Sequence, residues 1–384
     1  RFKEKLGFFS IKRKKGKLIW FHGSSVGEVV SIIPLVEKME NDTTIQTILI
    51  TSSTLSSSKV LGRFNFKKTI HQFFPVDTNF LTKKFLDYWK PSLAVFIESE
   101  IWPNMMINIK KKSIPLILLN ARITKKSFNR WQRISFSSNL FKIFNLCLPQ
   151  NLETQKYLSL LGAKKIKILG NLKFSEPKLN NKYELNKKIK KHFNKKKIWC
   201  ASSTHNTEEI ACALAHQKLK LKYKNLLTII IPRHIDRTGS ILDEIKKLNL
   251  KVHTHDSKKK LNKNTDIYLV NSYGKTKSFF KICKIVFLGG SMIMHGGQNP
   301  LEAARYGCKI LHGPNIWNFN EIYALLNKNK VSKKVNNLNE MVFNIDQIFK
   351  NKTNSQNIKS KIINLGDKIL NITLKEINLL INKK

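Results

Sequence analysis

Leu18-Ile19-Trp20-Phe21-His22-Gly23-Ser24-Ser25-Val26-Gly27-Glu28 sets a short apolar run against a glycine–serine loop. From residue 29 to 39 the apolar positions then recur at three- and four-residue steps, the period of a helix with one buried face. The stretch therefore reads as strand, tight loop and helix. The pattern repeats outward: 47–50, 70–74, 93–97, 116–119 and 166–169 read as further strands, with helical stretches between most of them. Strands this apolar, alternating with helices, predict an α/β fold whose mostly parallel sheet is covered on both faces.

A Lys/Asn-rich stretch at 175–197, containing Pro177, interrupts the alternation. It restarts with 198–201, 226–231, 267–270, 285–288 and 309–311. The organisation expected is a first domain at 1–174, a linker at 175–197 and a second domain at 198–353. A weakly amphipathic helix at 354–384 has no evident partner in the second domain. The lysine runs 187–191, 195–197 and 258–260 read as solvated loops. In open α/β sheets ligands bind beyond the carboxyl ends of the strands, so the segments directly after each strand are the ones to inspect.

The 384 residues carry 70 Lys+Arg against 25 Asp+Glu, a net charge of +45, yet 41% are hydrophobic. That is core enough for about two domains and rules out wholesale disorder. Only 9 of the cations are Arg, the residue that reads phosphates and bases bidentately. A nucleic-acid binder is the disfavoured alternative; a biased lysine content, with a face able to meet anionic lipid, fits better. The 5 cysteines form no C-x-x-C pair, which disfavours zinc and disulfide frameworks. His253-Thr254-His255-Asp256 makes a poor metal site, and D-x-D, G-x-S-x-G and Walker A patterns are missing. No apolar run reaches the roughly 18 residues that span a bilayer. The chain starts at Arg1, so an anchor upstream of it is an open expectation.

Five segments carry candidate chemistry. Glu28 falls in the first turn of the first helix, as an acid complementing the helix dipole or as a general base facing a ligand. Glu98 and Glu100, in Ile97-Glu98-Ser99-Glu100-Ile101-Trp102-Pro103-Asn104, follow a buried strand; they share one face if the strand continues and part if the chain turns. Lys173, in Gly170-Asn171-Leu172-Lys173-Phe174, lies at the domain seam. Pro232-Arg233-His234 puts a scarce guanidinium at a strand end. Phe287-Leu288-Gly289-Gly290-Ser291 leads to Gly296-Gly297-Gln298-Asn299-Pro300-Leu301-Glu302. Asn299 at the N-cap, Pro300 at N1 and Glu302 at N3 predict a helix start lined by glycines, an anion site in which Glu302 would suit a ribose diol.

In order, these segments resemble the Kdo (3-deoxy-D-manno-octulosonic acid) transferases of lipopolysaccharide core biosynthesis. SSVGE at 24–28, ESEIWPN at 98–104, NARIT at 120–124, GNLKF at 170–174, ASSTH at 201–205, PRH at 232–234, FLGGS at 287–291, GGQNPLEAA at 296–304 and HGPNIWNFNEI at 312–322 carry the resemblance. It implies a glycosyltransferase-B architecture: two Rossmann-like domains facing a cleft, with the C-terminal helix crossing back to the first. It implies CMP-Kdo as co-substrate, a lipid A precursor (lipid IVA) as acceptor, an inverting displacement, and neither cofactor nor metal. Glu28 would be the general base; Glu98 and Lys173 would stabilise the transition state. Pro232, Arg233, Tyr273, Gly274, Lys275, Asn299, Pro300, Leu301 and Glu302 would hold CMP. The chain departs from the family at 271–275, where Lys275 stands for a Glu and Asn271 for an Asp. The implied location is the cytoplasmic face of a bacterial inner membrane, peripheral or through an anchor missing from this chain. A glycosyltransferase-B enzyme using another nucleotide sugar is the nearer alternative.

Overall fold

Every residue of β1 (Leu18–His22) is buried. Successive strand residues point to opposite faces, so this burial requires cover on both sides of the sheet. Trp20 supplies much of one face, with its ring centroid 4.9 Å from Phe85 and 5.2 Å from Phe96. In this computed structural model the described residues are 2–175, 184–257, 260–351 and 354–382. They divide into two units, Arg1–Leu179 with Asn364–Lys384, and Asn180–Ile363.

The first unit holds six parallel strands: β1, β2 (Thr47–Ser52), β3 (Thr69–Phe73), β4 (Leu93–Ile97), β5 (Leu116–Ala121) and β6 (Leu146–Pro149). Their order is β3-β2-β1-β4-β5-β6. The chain walks outward from β1 to β3, then returns to β4 on the other side. The reversal falls between β1 and β4, where connecting loops diverge and leave a crevice for ligand.

The expected strand at 166–169 does not form, and β6 takes the edge of the sheet. The backbone of residues 165 and 167 bonds Cys147, through Cys147 N to Lys165 O (2.8 Å) and Lys167 N to Cys147 O (3.0 Å). The chain then leaves the sheet towards Gly170, whose φ is +104°. Four residues ending in proline gave β6 little sequence signal, and an edge strand is where proline is tolerated.

The last helix, Ser355–Ile381, joins the first unit from residue 364 onward. Two glycines allow the approach. A Cβ on Gly366 would lie 2.5 Å from the Phe174 carbonyl oxygen, and one on Gly170 would lie 2.9 Å from Ile369 Cδ1. Ser175 Oγ donates to Gly366 O (2.8 Å) and Lys167 pairs with Glu376 (2.8 Å). The helix thereby braces the segment that carries Lys173.

The second unit has seven parallel strands: β7 (Lys197–Thr204), β8 (Leu226–Pro232), β9 (Val252–Thr254), β10 (Ile267–Leu269), β11 (Ile285–Leu288), β12 (Lys309–His312) and β13 (Ser332–Lys334). The order β13-β12-β11-β7-β8-β10-β9 puts its reversal between β7 and β11. Edge strands β9 and β13 have three residues each and were not anticipated. The expected linker is only partly a spacer. Pro177 and the rest of 176–183 lie outside the described residues, as do 258–259. Lys187–Phe193, however, is a helix, and Phe193 is buried edge-on against Tyr268 at 5.1 Å. The lysine run at 187–191 accordingly lies in that helix, not in a loop, while 195 and 196 form the turn that leads into β7 at Lys197. Among the described residues no helix is long and apolar enough to cross a membrane.

Candidate active site

In the first unit, three carboxylates gather at the carboxyl ends of β1 and β4. Ser25 caps the helix Val26–Met39, and Glu28 sits at its N3 position in a reciprocal capping box. The Glu28 carboxylate accepts from Ser24 N (2.7 Å), Ser25 N (3.4 Å) and Ser25 Oγ (2.9 Å). Glu28 thus caps the helix and sits beside two other acids. Burial, then the charge of Glu100, push its pKa above the ordinary carboxylate range; the Ser25 hydroxyl opposes this and Glu98 adds to it.

The chain turns after Ile97, which decides how the two following acids are placed. Glu98 has φ +55°, a strained conformation outside glycine, and its amide bonds Leu119 O at 2.9 Å. Its buried carboxylate meets Lys173 Nζ at 2.5 Å. Lys173 is aimed by two asparagines: Asn120 Oδ1 accepts from Leu172 N (3.0 Å) and Asn171 Oδ1 from Lys173 N (2.9 Å). NARIT thus holds GNLKF in place. Glu100 takes a different set of partners. One oxygen, Oε2, accepts from His22 Nε2 (3.0 Å), Ser24 Oγ (2.6 Å) and Trp102 Nε1 (2.7 Å). Burial acts to raise the Glu100 pKa, but those hydrogen bonds outweigh it and hold it below the usual range. The proton affinities of Glu28 and Glu100 are thus driven apart. Trp102 is fixed because Asp77 caps the helix Pro103–Lys111, accepting from Asn104 N (3.1 Å) and Met105 N (2.8 Å).

In the second unit, Pro232 ends β8 in a buried position, and Arg233 N donates to Thr204 O at 2.9 Å. The Arg233 side chain is exposed, with no acceptor among the described residues. The next ring, His234, lies 5.7 Å from His205, which lies 4.2 Å from His295. PRH, ASSTH and the glycine loop after β11 are brought together through these imidazoles. Burial and the neighbouring His295, His234, Arg233 and Arg237 push the His205 pKa down to about 4.

The glycine loop is built differently from the expected open anion site. Glu208, fully buried, accepts from Gly290 N (2.7 Å), Ser291 N (3.1 Å), Met292 N (2.9 Å) and His205 N (2.9 Å). The chain's own carboxylate fills this nest of amides. Gly289 must be glycine, since its Cβ would lie 2.5 Å from both Ser203 O and Thr204 Cα. The following helix is only Leu301–Arg305, with Pro300 rather than Asn299 as N-cap. Asn299 still acts nearby, its Oδ1 accepting from Leu301 N (3.0 Å). The buried Leu301 side chain belongs to the core, and Glu302 lies 3.9 Å from Lys277.

Tyr273 is exposed and Gly274 has φ +79°. Lys275, at the departure from the family pattern, pairs with Asp256 at 3.0 Å, while Asn271 Oδ1 accepts from Asp256 N (3.1 Å). A carboxylate is therefore present beside this loop, supplied from the turn after β9. Among the described residues no cluster of three or more His, Cys, Asp or Glu could hold a metal ion. Glu208 escaped sequence reasoning, as did the pairing of Glu100 with His22 and of Asp256 with Lys275. Their signal was scarcity, since only 25 acids occur in a chain this basic.

Two doubly wound parallel sheets, each with candidate residues at its reversal point, define a glycosyltransferase-B type α/β protein. Solved structures share the fold. A putative UDP-N-acetylglucosamine 2-epimerase from Listeria monocytogenes gives a TM-score of 0.63 at 11% identity, over 95% of this chain and 97% of that one. A glycosyltransferase from Rickettsia africae gives 0.62 at 12%, over 97% and 100%. The model of the 3-deoxy-D-manno-octulosonic-acid transferase family matches residues 1–176. The 3-deoxy-D-manno-octulosonic acid transferase of Rickettsia felis is 34% identical over 83% of this chain and 69% of its own length. The chain belongs to the Kdo transferase family, and it is a glycosyltransferase.

Proposed function

We propose that this protein transfers Kdo from CMP-Kdo to a lipid A precursor, in a single inverting displacement and without a metal ion. The observation that carries the reading is Glu28: a carboxylate of raised proton affinity, aimed by a capping box, at the reversal point of the first sheet. As an acceptor hydroxyl attacks the anomeric carbon, its proton passes to the Glu28 carboxylate. The new C–O bond forms while the bond to the CMP phosphate breaks, and CMP leaves with the electron pair. Glu98 and Lys173 form a fixed ion pair beside the base, a preorganised field for the charge that develops. The second unit would hold CMP through Arg233, the backbone at Tyr273-Gly274-Lys275, and the segment Asn299–Glu302. The basic surface suits a phosphorylated acceptor in an anionic membrane, and the cytoplasmic face of the inner membrane is the location proposed.

The test is transfer from freshly made CMP-Kdo to a tetraacylated lipid A precursor with EDTA present, read by mass spectrometry. Wild type should add Kdo, and Glu28→Gln should lose roughly 10²–10⁴-fold in kcat, the contribution of a positioned base. Gln is accepted at N3 of a capping box, so Tm should move by little. Product at equal rates from both proteins removes Glu28 as base. No product from folded wild type that binds CMP overturns the assignment of donor sugar or acceptor, and competition by UDP in place of CMP overturns the nucleotide.

A further inference from the structure

One charged group beside Glu28 has no part in the mechanism above. Glu100 is buried, and a directed chain of hydrogen bonds leads to it from the core. The Trp20 indole can only donate, and it donates to Thr51 Oγ1 at 2.9 Å. Thr51 Oγ1 lies 3.0 Å from His22 Nδ1, which is also 3.3 Å from Thr51 O, and the His22 Nε2–H points at Glu100 Oε2 at 3.0 Å. The His22 ring is fully buried and cannot rotate away, being stacked on Phe74 at 3.7 Å.

Ser24 links this chain to the base. Its hydroxyl donates to Glu100 Oε2 (2.6 Å) and accepts from Ser53 Oγ (3.2 Å), while its amide donates to Glu28 Oε2 (2.7 Å). One residue therefore has its side chain tied to one carboxylate and its backbone tied to the other. We propose that Glu100, locked by His22 and Trp102, is a positioning residue that holds Ser24 against Glu28 and stands as a fixed negative charge beside the base. The inference rests on the reading of Glu28 as general base.

The other charged groups around Glu28 are accounted for. Glu98 is paired with Lys173, Lys5 Nζ is taken up by Ser53 O at 3.1 Å, and His22 faces Glu100. Glu100 is thus the negative charge that acts on Glu28 most, in agreement with its place ahead of Glu98 among the causes of the Glu28 shift.

Glu100→Gln keeps the shape and removes the charge. The acid limb of the kcat/KM profile should move to lower pH by on the order of one unit, because Glu28 then ionises more readily. Carbon-13 carboxyl titration of Glu28 by NMR should show the same shift without turnover, so it remains decisive if the transferase assignment itself fails. Glu100→Asp keeps the charge and should keep the acid limb of wild type while lowering kcat. Ser24→Ala, at a half-exposed loop position, covers the case in which Glu100→Gln does not fold. It should lower kcat roughly tenfold or more with KM little changed, since small errors in aim are costly. An unmoved acid limb and unmoved Glu28 titration in Glu100→Gln, with activity lost evenly at all pH values, overturns the proposal. So does wild-type kcat in Ser24→Ala.

Discussion

Glu208→Gln is the most demanding test of the second unit. The carboxylate it alters is fully buried and serves four amides, His205 and Gly290 on Oε2, Ser291 and Met292 on Oε1. The substitution is nearly isosteric, so it opens no cavity. One half of the group nevertheless becomes an NH2 that cannot accept, and two buried N–H donors lose their partner whichever way the amide turns. Each orphaned donor costs about 1–3 kcal/mol. The two surviving bonds lose charge assistance, which roughly halves them. Against this, a neutral side chain escapes the desolvation penalty of a buried charge. That relief is reduced here, because four donors and a helix N-terminus already solvate the carboxylate.

The net expectation is a loss of about 3–4 kcal/mol. For a unit of this size, at about 2–4 °C per kcal/mol, the second unit should melt roughly 6–15 °C earlier. Thermal unfolding by circular dichroism, with hydrogen exchange read at the amides of Gly290, Ser291 and Met292, measures it. A Tm within about 2 °C of wild type, with protection at those amides unchanged, would refute the view that Glu208 organises the glycine loop.

The remaining predictions concern the first unit. Lys173→Met leaves Glu98 buried without its counter-charge, so a double-mutant cycle with Glu98→Gln, read by urea unfolding, should give a coupling of about 1–2 kcal/mol at this half-open site; additive losses would show the pair to be inert. Gly366→Ala raises helix propensity by about 1 kcal/mol, yet its Cβ meets the Phe174 carbonyl oxygen at 2.5 Å. The clash should win, for a net loss of about 2 kcal/mol and faster proteolysis near residue 170; a stabilised protein would show that the helix is not docked there.

What the sequence made legible, and what it hid, follows the range of each interaction. Glu28 was readable because its cap partner Ser25 is three residues away, and the fully buried strands were readable because burial on both faces leaves an unbroken apolar run. The same local logic failed at Asn299–Glu302. Those residues satisfy every rule for a helix start, yet the cap falls one residue on, at Pro300, and Asn299 keeps only the bond from Leu301 N. The strand expected at 166–169 failed likewise: its alternation is genuine, but only the bonds to Cys147 are available to it. The acids that organise both sites find their partners far along the chain. Glu100 meets His22 across 78 residues and Glu208 meets Gly290 across 82. No periodicity encodes such a pairing, because it exists only once two strands lie side by side. In each sheet the pairing sits where β1 meets β4, or β7 meets β11, so the reversal of strand order is what converts distant acids into a site. A topology read from sequence therefore narrows where the charge partners must be, one loop after each of two neighbouring strands, although it cannot name them.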